Sequence, residues 1–252
     1  MRLAFCLACL CVVGQAKAAG LVFNENFTIL AAKSQPALTS GFSERLLAAA
    51  ERYRREIAQE WFAQELADGV GKTTISLTVS HRVDKAFTWA RSGARNYHVV
   101  YLTTSPQQAV GSTLKHEIAH VVLATQFPGN ARLPIWLEEG IASRYDDAER
   151  IRLRKQITQS FGHARPWPQV TQLFATENVP SVDQTTYAFA VSLTDYLLTL
   201  DNRKTLLRFG AMCSQSTPDQ ALATHYQMQP HELQLRWQHW VHQVEKVAQL
   251  PQ

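Results

Sequence analysis

Cysteine is scarce in this sequence and unevenly placed. Three of its four cysteines, Cys6, Cys9 and Cys11, lie in one apolar run near the start of the chain, and only Cys213 lies beyond it. A chain that loses this run on export keeps a single thiol, which excludes an internal disulfide. Cys213 is then either a reactive thiol or a small buried apolar side chain, and the second is the commoner fate of a lone cysteine.

Long apolar runs are also missing. The run from Leu3 to Val13 is too short to cross the hydrocarbon core of a bilayer, and no later run is long enough to do so. Arg2 precedes this run, and the small-x-small sequence from Ala16 to Ala18 follows it, which is the pattern of a secretory signal peptide. We therefore expect a cleaved signal peptide at residues 1–18, although an uncleaved anchor is an alternative. The mature chain, residues 19–252, is expected in a bacterial periplasm or secreted, with no stable membrane insertion after signal cleavage.

A strong charge of either sign is absent as well. The formal net charge is +4, and the basic residues are scattered without any run of five or more. The sequence therefore does not indicate a nucleic-acid-binding surface, and we expect no nucleic acid among the partners. The apolar fraction of 46% is ordinary for a globular protein and argues against a disordered chain.

The spacing of apolar residues divides the mature chain into two parts. Residues from about 20 to 104 predict a small sheet with one covering helix, and residues from about 105 to 252 predict helices. A sheet followed by helices predicts an α+β fold, with a sheet subdomain and a helical subdomain. The predicted strands lie at 21–32, 74–80, 86–90 and 97–103, and the predicted helices at 43–63, 105–127, 134–141, 147–160, 185–200, 204–212 and 231–247.

A candidate metal site lies within one of these predicted helices, in the sequence His116-Glu117-x-x-His120. Residues four apart on a helix share a face, so both imidazoles can reach one ion while Glu117 projects close to them. A bound metal acidifies water, and a neighbouring carboxylate can take the proton. A catalytic zinc also needs a third protein ligand, and the next predicted helix carries two adjacent carboxylates, Glu138 and Glu139.

This pattern resembles the catalytic motif of the gluzincin metallopeptidases, which include the thermolysin and aminopeptidase N groups and the bacterial peptidase MA-like families. Eighteen residues separate His120 from Glu139, and Gly140 follows directly. The resemblance implies that Glu139, rather than Glu138, joins His116 and His120 as a ligand of one Zn²⁺ per chain. It also implies that Glu117 is the general base, and that the fold is a thermolysin-like zincin catalytic domain with a small mixed sheet.

The same resemblance implies a tyrosine, downstream of the third ligand, that stabilises the oxyanion. Tyr187 lies at a similar place near the start of a predicted helix, although its ring could instead pack in the core. Ser143 follows Glu139 by one helical turn, where thermolysin-like proteins tend to place an aspartate, and could hydrogen-bond a ligand. Tyr196 is expected to belong to the core.

Together these features predict an exported zinc metallopeptidase whose partner is a peptide or protein substrate. The predicted strand at 86–90 could bind an extended peptide by strand addition. Two alternatives are a zinc-binding module that binds a partner without proteolysis, and a zinc hydrolase that acts on a non-peptide bond. Retention of Glu117 opposes the first alternative, because a purely structural zinc site needs no base.

Overall fold

The sheet and the helices occupy the order that the sequence predicts. A mixed five-stranded sheet comes first and a mainly helical part follows, which confirms the α+β fold. The predicted signal peptide at residues 1–18 lies outside the described residues. The computed structural model describes residues 21–31, 41–91, 97–127, 131–164 and 166–248.

The sheet has parallel strands in the middle and antiparallel strands at both edges. Its order is β1-β2-β3-β5-β4, with β2, β3 and β5 parallel, and with β1 and β4 antiparallel to their neighbours. Strand β4 is therefore an edge strand. The strands are β1 (Leu21–Phe23), β2 (Phe27–Ala31), β3 (Lys72–Val79), β4 (Lys85–Arg91) and β5 (Tyr97–Thr104).

The single strand predicted at 21–32 is wrong, because the chain reverses direction within it. The side-chain Oδ1 of Asn24 accepts hydrogen bonds from the backbone nitrogens of Asn26 (3.0 Å) and Phe27 (2.7 Å). An asparagine that bonds the backbone two and three residues ahead stabilises a tight turn. The segment therefore forms the antiparallel pair β1 and β2 instead of one strand.

Ten α-helices are present among the described residues. Two of them, α6 and α9, were not predicted from the apolar pattern. The start of α9 nevertheless carries a recognisable signal, a capping box between Thr217 and Gln220 with Pro218 at the first helical position. The helices are α1 (Phe42–Phe62), α2 (Pro106–Ala109), α3 (Ser112–Gln126), α4 (Ile135–Ala142), α5 (Ala148–Ala164), α6 (Val170–Phe174), α7 (Gln184–Leu200), α8 (Arg203–Cys213), α9 (Pro218–Tyr226) and α10 (Pro230–Ala248).

The helix predicted from 105 to 127 is two helices, α2 and α3, separated by Val110 and Gly111. A Cβ on Gly111 would lie 2.8 Å from the carbonyl oxygen of Gln107, so only glycine fits the backbone at this break. The carbonyl of Val110 accepts a hydrogen bond of 2.8 Å from the hydroxyl of Tyr53 on α1. The break therefore sets where α3, the helix of the candidate metal site, begins.

One face of the sheet carries the two helices that matter most for the site. Alternate residues of β3 and β5 are buried on this face, including Ile75 and Val100. Helix α1 packs on β1 and β2, helix α3 packs on β4 and β5, and the two helices contact each other. Among the described helices, none combines the length and the apolar character that crossing a bilayer requires.

Strand β5 also carries the buried histidine His98. It is 1% exposed, and its Nε2 lies 3.1 Å from the hydroxyl of Thr125 on α3. Burial, together with the positive charge of Arg132, lowers the pKa of His98 to about 4. His98 is therefore a neutral core histidine at neutral pH, and it is not part of the group of described residues that could hold a metal ion.

We predict that His98 makes the protein less stable in acid. The unfolded chain binds a proton at His98 near pH 6.5, whereas the folded chain binds one only near pH 4, so the contribution is complete above pH 6.5 and lost as the pH falls to 4. Urea unfolding should be measured at several pH values. As the pH is lowered through this range, the free energy of unfolding should fall by about 3 kcal/mol more in the wild type than in His98→Gln. Equal pH profiles for the two proteins would contradict this role of His98.

Candidate metal centre

The candidate ligands come from two neighbouring helices. His116 and His120 lie one turn apart on α3, and their Nε2 atoms are 3.3 Å apart. Glu139 lies on α4, and its Oε2 is 3.6 Å from the Nε2 of each histidine. All three side chains are between 12% and 13% exposed, so the cluster is largely shielded and still reachable.

The geometry of the three ligand atoms fits one metal ion. In a tetrahedral zinc site with bonds of about 2.0–2.1 Å, neighbouring ligand atoms lie about 3.3–3.4 Å apart. The observed separations of 3.3 and 3.6 Å are close to this value. In addition, Oε2 of Glu139 is buried and makes no hydrogen bond with any described residue, which is costly unless another partner binds it. His116, His120 and Glu139 could therefore hold a metal ion.

The position of Glu139 depends on the glycine that follows it. A Cβ on Gly140 would lie 2.2 Å from the hydroxyl of Thr194 and 2.6 Å from the carbonyl oxygen of Ala190, both on α7. Only a residue without a side chain lets α4 approach α7 this closely. This close packing fixes α4, and with it the direction in which Glu139 projects.

The structure distinguishes clearly between the two adjacent carboxylates. Glu138 points away from the histidines and forms a two-pronged ion pair with Arg132, with both N–O distances at 3.0 Å. Glu139 faces His116 and His120 instead. The structure thus brings together the three residues predicted as metal ligands, and Glu138 is not among them.

The carboxylate and imidazole side chains of the cluster compensate each other's charge. Burial alone would raise the pKa of Glu139, but the two imidazoles outweigh it and hold that pKa well below its usual range. Burial alone would likewise lower the pKa of His116, but the carboxylates of Asp146 and Glu139 raise it to about 10. The carboxylate of Glu139 is therefore ionised and available as a ligand.

Asp146 is a member of this site that the sequence analysis missed. Its Oδ1 lies 3.2 Å from Nδ1 of His116, the ring nitrogen that faces away from the cluster, although the N–H direction is not aligned for a full hydrogen bond. Its side chain is 1% exposed and forms a buried ion pair with Arg154 of α5. A carboxylate behind a metal-binding histidine orients the ring and makes it a better ligand.

Ser143 does not take the role that was expected of it. It is fully buried, but its hydroxyl makes no hydrogen bond with any described residue. A short 3₁₀ helix at Ser143–Tyr145 follows α4, and the carboxylate that faces His116 is that of Asp146, seven residues after Glu139. The expected helical spacing of four residues therefore pointed to the wrong side chain.

Glu117, the predicted general base, lies beside the cluster on α3 and is 5% exposed. Its Oε2 accepts a hydrogen bond of 2.6 Å from the hydroxyl of Thr88 on the edge strand β4. Burial raises the pKa of Glu117, while the neighbouring histidines and Thr88 oppose that rise. Thr88 therefore holds the carboxylate of Glu117 in place. The sequence does not reveal this contact, because it depends on β4 lying against α3.

Tyr187 lies in the first turn of α7 and lines the same cleft as the metal cluster. Asp183 caps this helix through the backbone nitrogen of Thr186 (3.0 Å), which fixes the turn that carries the tyrosine. Burial and the carboxylates of Glu139 and Glu117 raise the pKa of Tyr187, so its hydroxyl stays protonated. Its ring lies under the guanidinium of Arg154, at 5.1 Å.

The cleft around the cluster has a volume of about 620 Å³. Strand β4 borders one side of it, and the segment 178–182 borders another. Phe87 and Trp89 of β4 are 58% and 43% exposed, and Phe87 lines the cleft. The cleft is therefore open to solvent and large enough for a ligand.

The remaining candidate residues lie away from the cluster. Tyr196 is buried, and its ring packs 5.6 Å from that of Trp240, as expected for a core residue. Burial raises the pKa of Cys213 to about 12, so its thiol is unreactive at neutral pH.

No protein-family model matches the chain, and no curated protein matches it. The sheet, the helices that follow it and the His-His-Glu cluster are consistent with a zincin-like site.

We predict that Glu139→Gln and Glu138→Gln, the same change at adjacent positions, have different effects. Glu139→Gln removes a charged ligand, so we expect zinc affinity to fall more than about 100-fold, beyond the loss typical of an outer-shell partner. Glu138→Gln should keep the affinity for zinc and lose stability on the order of 1–3 kcal/mol, because its ion pair with Arg132 is weakened. Competition with a chelator measures the first effect and urea unfolding the second. An equal loss of zinc in both variants would refute the ligand set.

We predict that Asp146→Asn weakens zinc binding about 10- to 100-fold, because the amide orients the ring of His116 less strongly. The same chelator competition measures this change. Ser143→Ala is the control, since Ser143 lies in the same segment as Asp146 and its hydroxyl makes no hydrogen bond with any described residue. Unchanged affinity in folded Asp146→Asn protein would show that Asp146 does not act on the site.

Proposed function

We propose that the protein is an exported zinc-dependent metallopeptidase that hydrolyses peptide bonds in a peptide or protein substrate. The observation that carries the proposal is the carboxylate of Glu117, held by Thr88 beside the His-His-Glu cluster in an open cleft. A structural metal site is usually closed by four protein ligands and needs no base, whereas a catalytic site has three ligands and an open position. Export remains part of the proposal through the signal pattern at residues 1–18.

The metal is proposed to be zinc because of the chemistry of its ligands. Two imidazole nitrogens and one carboxylate oxygen are the ligand set of zinc hydrolases. When bound, zinc acidifies water and polarises a carbonyl group. His116 and His120 would hold the ion through Nε2, and Glu139 through Oε2.

Glu117 would act as the general base and then as the general acid. Its carboxylate takes a proton from the attacking water and later delivers this proton to the leaving amine. Its burial raises its pKa, which favours return of the proton. Thr88 keeps Oε2 in position during both transfers.

Tyr187 would stabilise the oxygen of the scissile carbonyl as negative charge develops on it. Its hydroxyl is protonated, because burial and nearby carboxylates raise its pKa. A hydrogen-bond donor aimed at such an oxygen lowers the barrier more than it strengthens substrate binding. Tyr187 therefore has the chemistry of an oxyanion donor on the wall of the cleft.

The edge strand β4 offers a way to bind an extended peptide. Among the described residues β4 pairs only with β5, so it is an edge strand of the sheet. An edge strand can bond a peptide backbone by strand addition, whatever the peptide side chains. Thr88 lies on the same strand, so a peptide bound there would run close to Glu117.

We predict that Glu117→Gln loses peptide cleavage and keeps zinc. Loss of a general base should lower kcat about 10²- to 10⁴-fold, while His116, His120 and Glu139 still bind the ion. Cleavage of a mixed peptide library by residues 19–252 and metal analysis of the same samples measure both effects. Glu149→Gln, at an exposed site on α5, is the control and should match the wild type. Zinc binding by the wild type without cleavage of any peptide would favour a binding module or a non-peptide hydrolase over the proposal.

We predict that Tyr187→Phe lowers kcat about 10²- to 10³-fold with little change in KM, because an oxyanion donor acts mainly in the transition state. Steady-state kinetics on the best library peptide measure this split. Phenylalanine keeps the ring under Arg154, so folding and zinc content should match the wild type. A rise in KM with kcat unchanged would assign Tyr187 to substrate binding instead.

A further inference from the structure

The outer face of the sheet, which points away from α1 and α3, exposes a group of aromatic side chains. Residues of β3 and β5 alternate between buried and more exposed positions, as in a sheet that is covered on one side. Four aromatic side chains on the uncovered side are between 38% and 58% exposed, namely Phe87 and Trp89 of β4 and Tyr97 and Tyr101 of β5. The part of the chain that the structure describes therefore leaves these side chains largely in solvent.

The apolar side chains of the outer face continue across the sheet. Phe87 lies opposite Tyr101 in the strand register, and their rings stack with centroids 4.7 Å apart. At the other edge of the sheet, Leu21, Phe23 and Leu30 are between 45% and 65% exposed. So many exposed apolar side chains on one face indicate a surface that binds a partner.

The charges on this face are positive. The five strands contain no aspartate or glutamate. Lys72 and Lys85 are exposed on the outer face at opposite ends of the strands. Asp84, next to Lys85, is paired with Arg150 of α5, and Glu25 lies in the turn between β1 and β2, at the edge opposite the aromatic residues. The composition of the face therefore suits a partner that combines negative charge with an apolar interior.

We propose that the outer face binds the surface of a lipid bilayer that contains anionic lipid. The rings of Trp89, Tyr97 and Tyr101 favour the interface between hydrocarbon and water, because they combine an apolar body with a polar tip. The lysines at the ends of the strands attract anionic headgroups. Binding is peripheral, since a sheet with open edges cannot enter the hydrocarbon. The proposal does not depend on peptidase activity.

Strand β4 connects this face with the metal cluster. Phe87 and Trp89 project from the outer face, whereas Thr88, between them, bonds Glu117 beside the cluster. Lys85 and Phe87 also line the cleft. Docking through the outer face would therefore bring the mouth of the cleft close to the bilayer.

A second copy of the chain fits the outer face less well. Two sheets that pack face to face often keep their strands nearly aligned. Aligned packing would bring the lysines at the strand ends of the two copies together, and the strands supply no carboxylate to pair with them. Like charges that meet in this way oppose association, whereas an anionic lipid surface attracts them.

Flotation of residues 19–252 with lipid vesicles measures this binding. We expect the protein to float with vesicles that contain anionic phosphatidylglycerol, and to bind vesicles of neutral phosphatidylcholine at least about ten-fold more weakly. Trp89→Ser removes one interfacial side chain and should weaken binding about ten-fold. The double variant Lys72→Gln/Lys85→Gln should weaken binding to the anionic vesicles on the order of 30-fold, or about five-fold for each lysine.

Matched variants on the helical part serve as controls. Leu235→Ser removes an apolar side chain that is 64% exposed on α10, and Lys155→Gln/Lys204→Gln removes two exposed charges on α5 and α8. Both should bind the anionic vesicles like the wild type. All the substituted side chains are exposed, so every variant should keep the fold, which circular dichroism checks.

Four results would overturn the proposal. They are an absence of binding to anionic vesicles, equal binding to neutral vesicles, unchanged binding in both Trp89→Ser and the Lys72→Gln/Lys85→Gln variant, and equal losses in the control variants. Sedimentation velocity adds a further test, in which we expect a monomer. A dimer that Trp89→Ser dissociates would assign the outer face to a second copy instead.

Discussion

The position of Glu139 beside His116 and His120 depends on how closely helix α4 approaches helix α7. Gly140 permits this approach, because a Cβ at that position would collide with Ala190 and Thr194. The contact aims the preceding residue, Glu139, at the two histidines of α3. Since a change of ligand position by even an ångström alters metal affinity, the packing of α4 on α7 would affect how tightly this group holds a metal ion.

A second requirement follows from burying so many charges in one place. His116 lies between the carboxylates of Glu139 and Asp146. Asp146 in turn pairs with Arg154, so each charge lies beside one of opposite sign. A buried charge without such a partner would cost several kcal/mol. The chain of alternating charges therefore makes burial of the site tolerable.

The residues that are predictable from sequence are those whose geometry is local. His116 and His120 share a face because they are four apart on one helix, and Glu139 lies on the next helix along the chain. The α+β order is likewise visible in apolar spacing. Gly111, however, divides a long apolar pattern into α2 and α3, since backbone crowding at one residue outweighs periodicity.

The residues that the sequence analysis missed reach the site through tertiary contacts. The spacing of residues along the sequence does not determine these contacts. Asp146 lies opposite His116 at the end of the 3₁₀ helix that follows α4, whereas the expected four-residue step led to Ser143. Thr88 contacts Glu117 because β4 pairs with β5 and packs on α3, a contact between distant parts of the sequence. Such contacts become visible only when the sheet order is known.

The central claim is that His116, His120 and Glu139 bind one catalytic zinc ion. X-ray absorption at the zinc edge, on residues 19–252 purified with zinc, tests this claim most directly. We expect about one zinc per chain, bound by two imidazoles and by oxygen, with no sulfur. A chain that takes up no zinc, or a spectrum with one imidazole or with sulfur from Cys213, would contradict the claim.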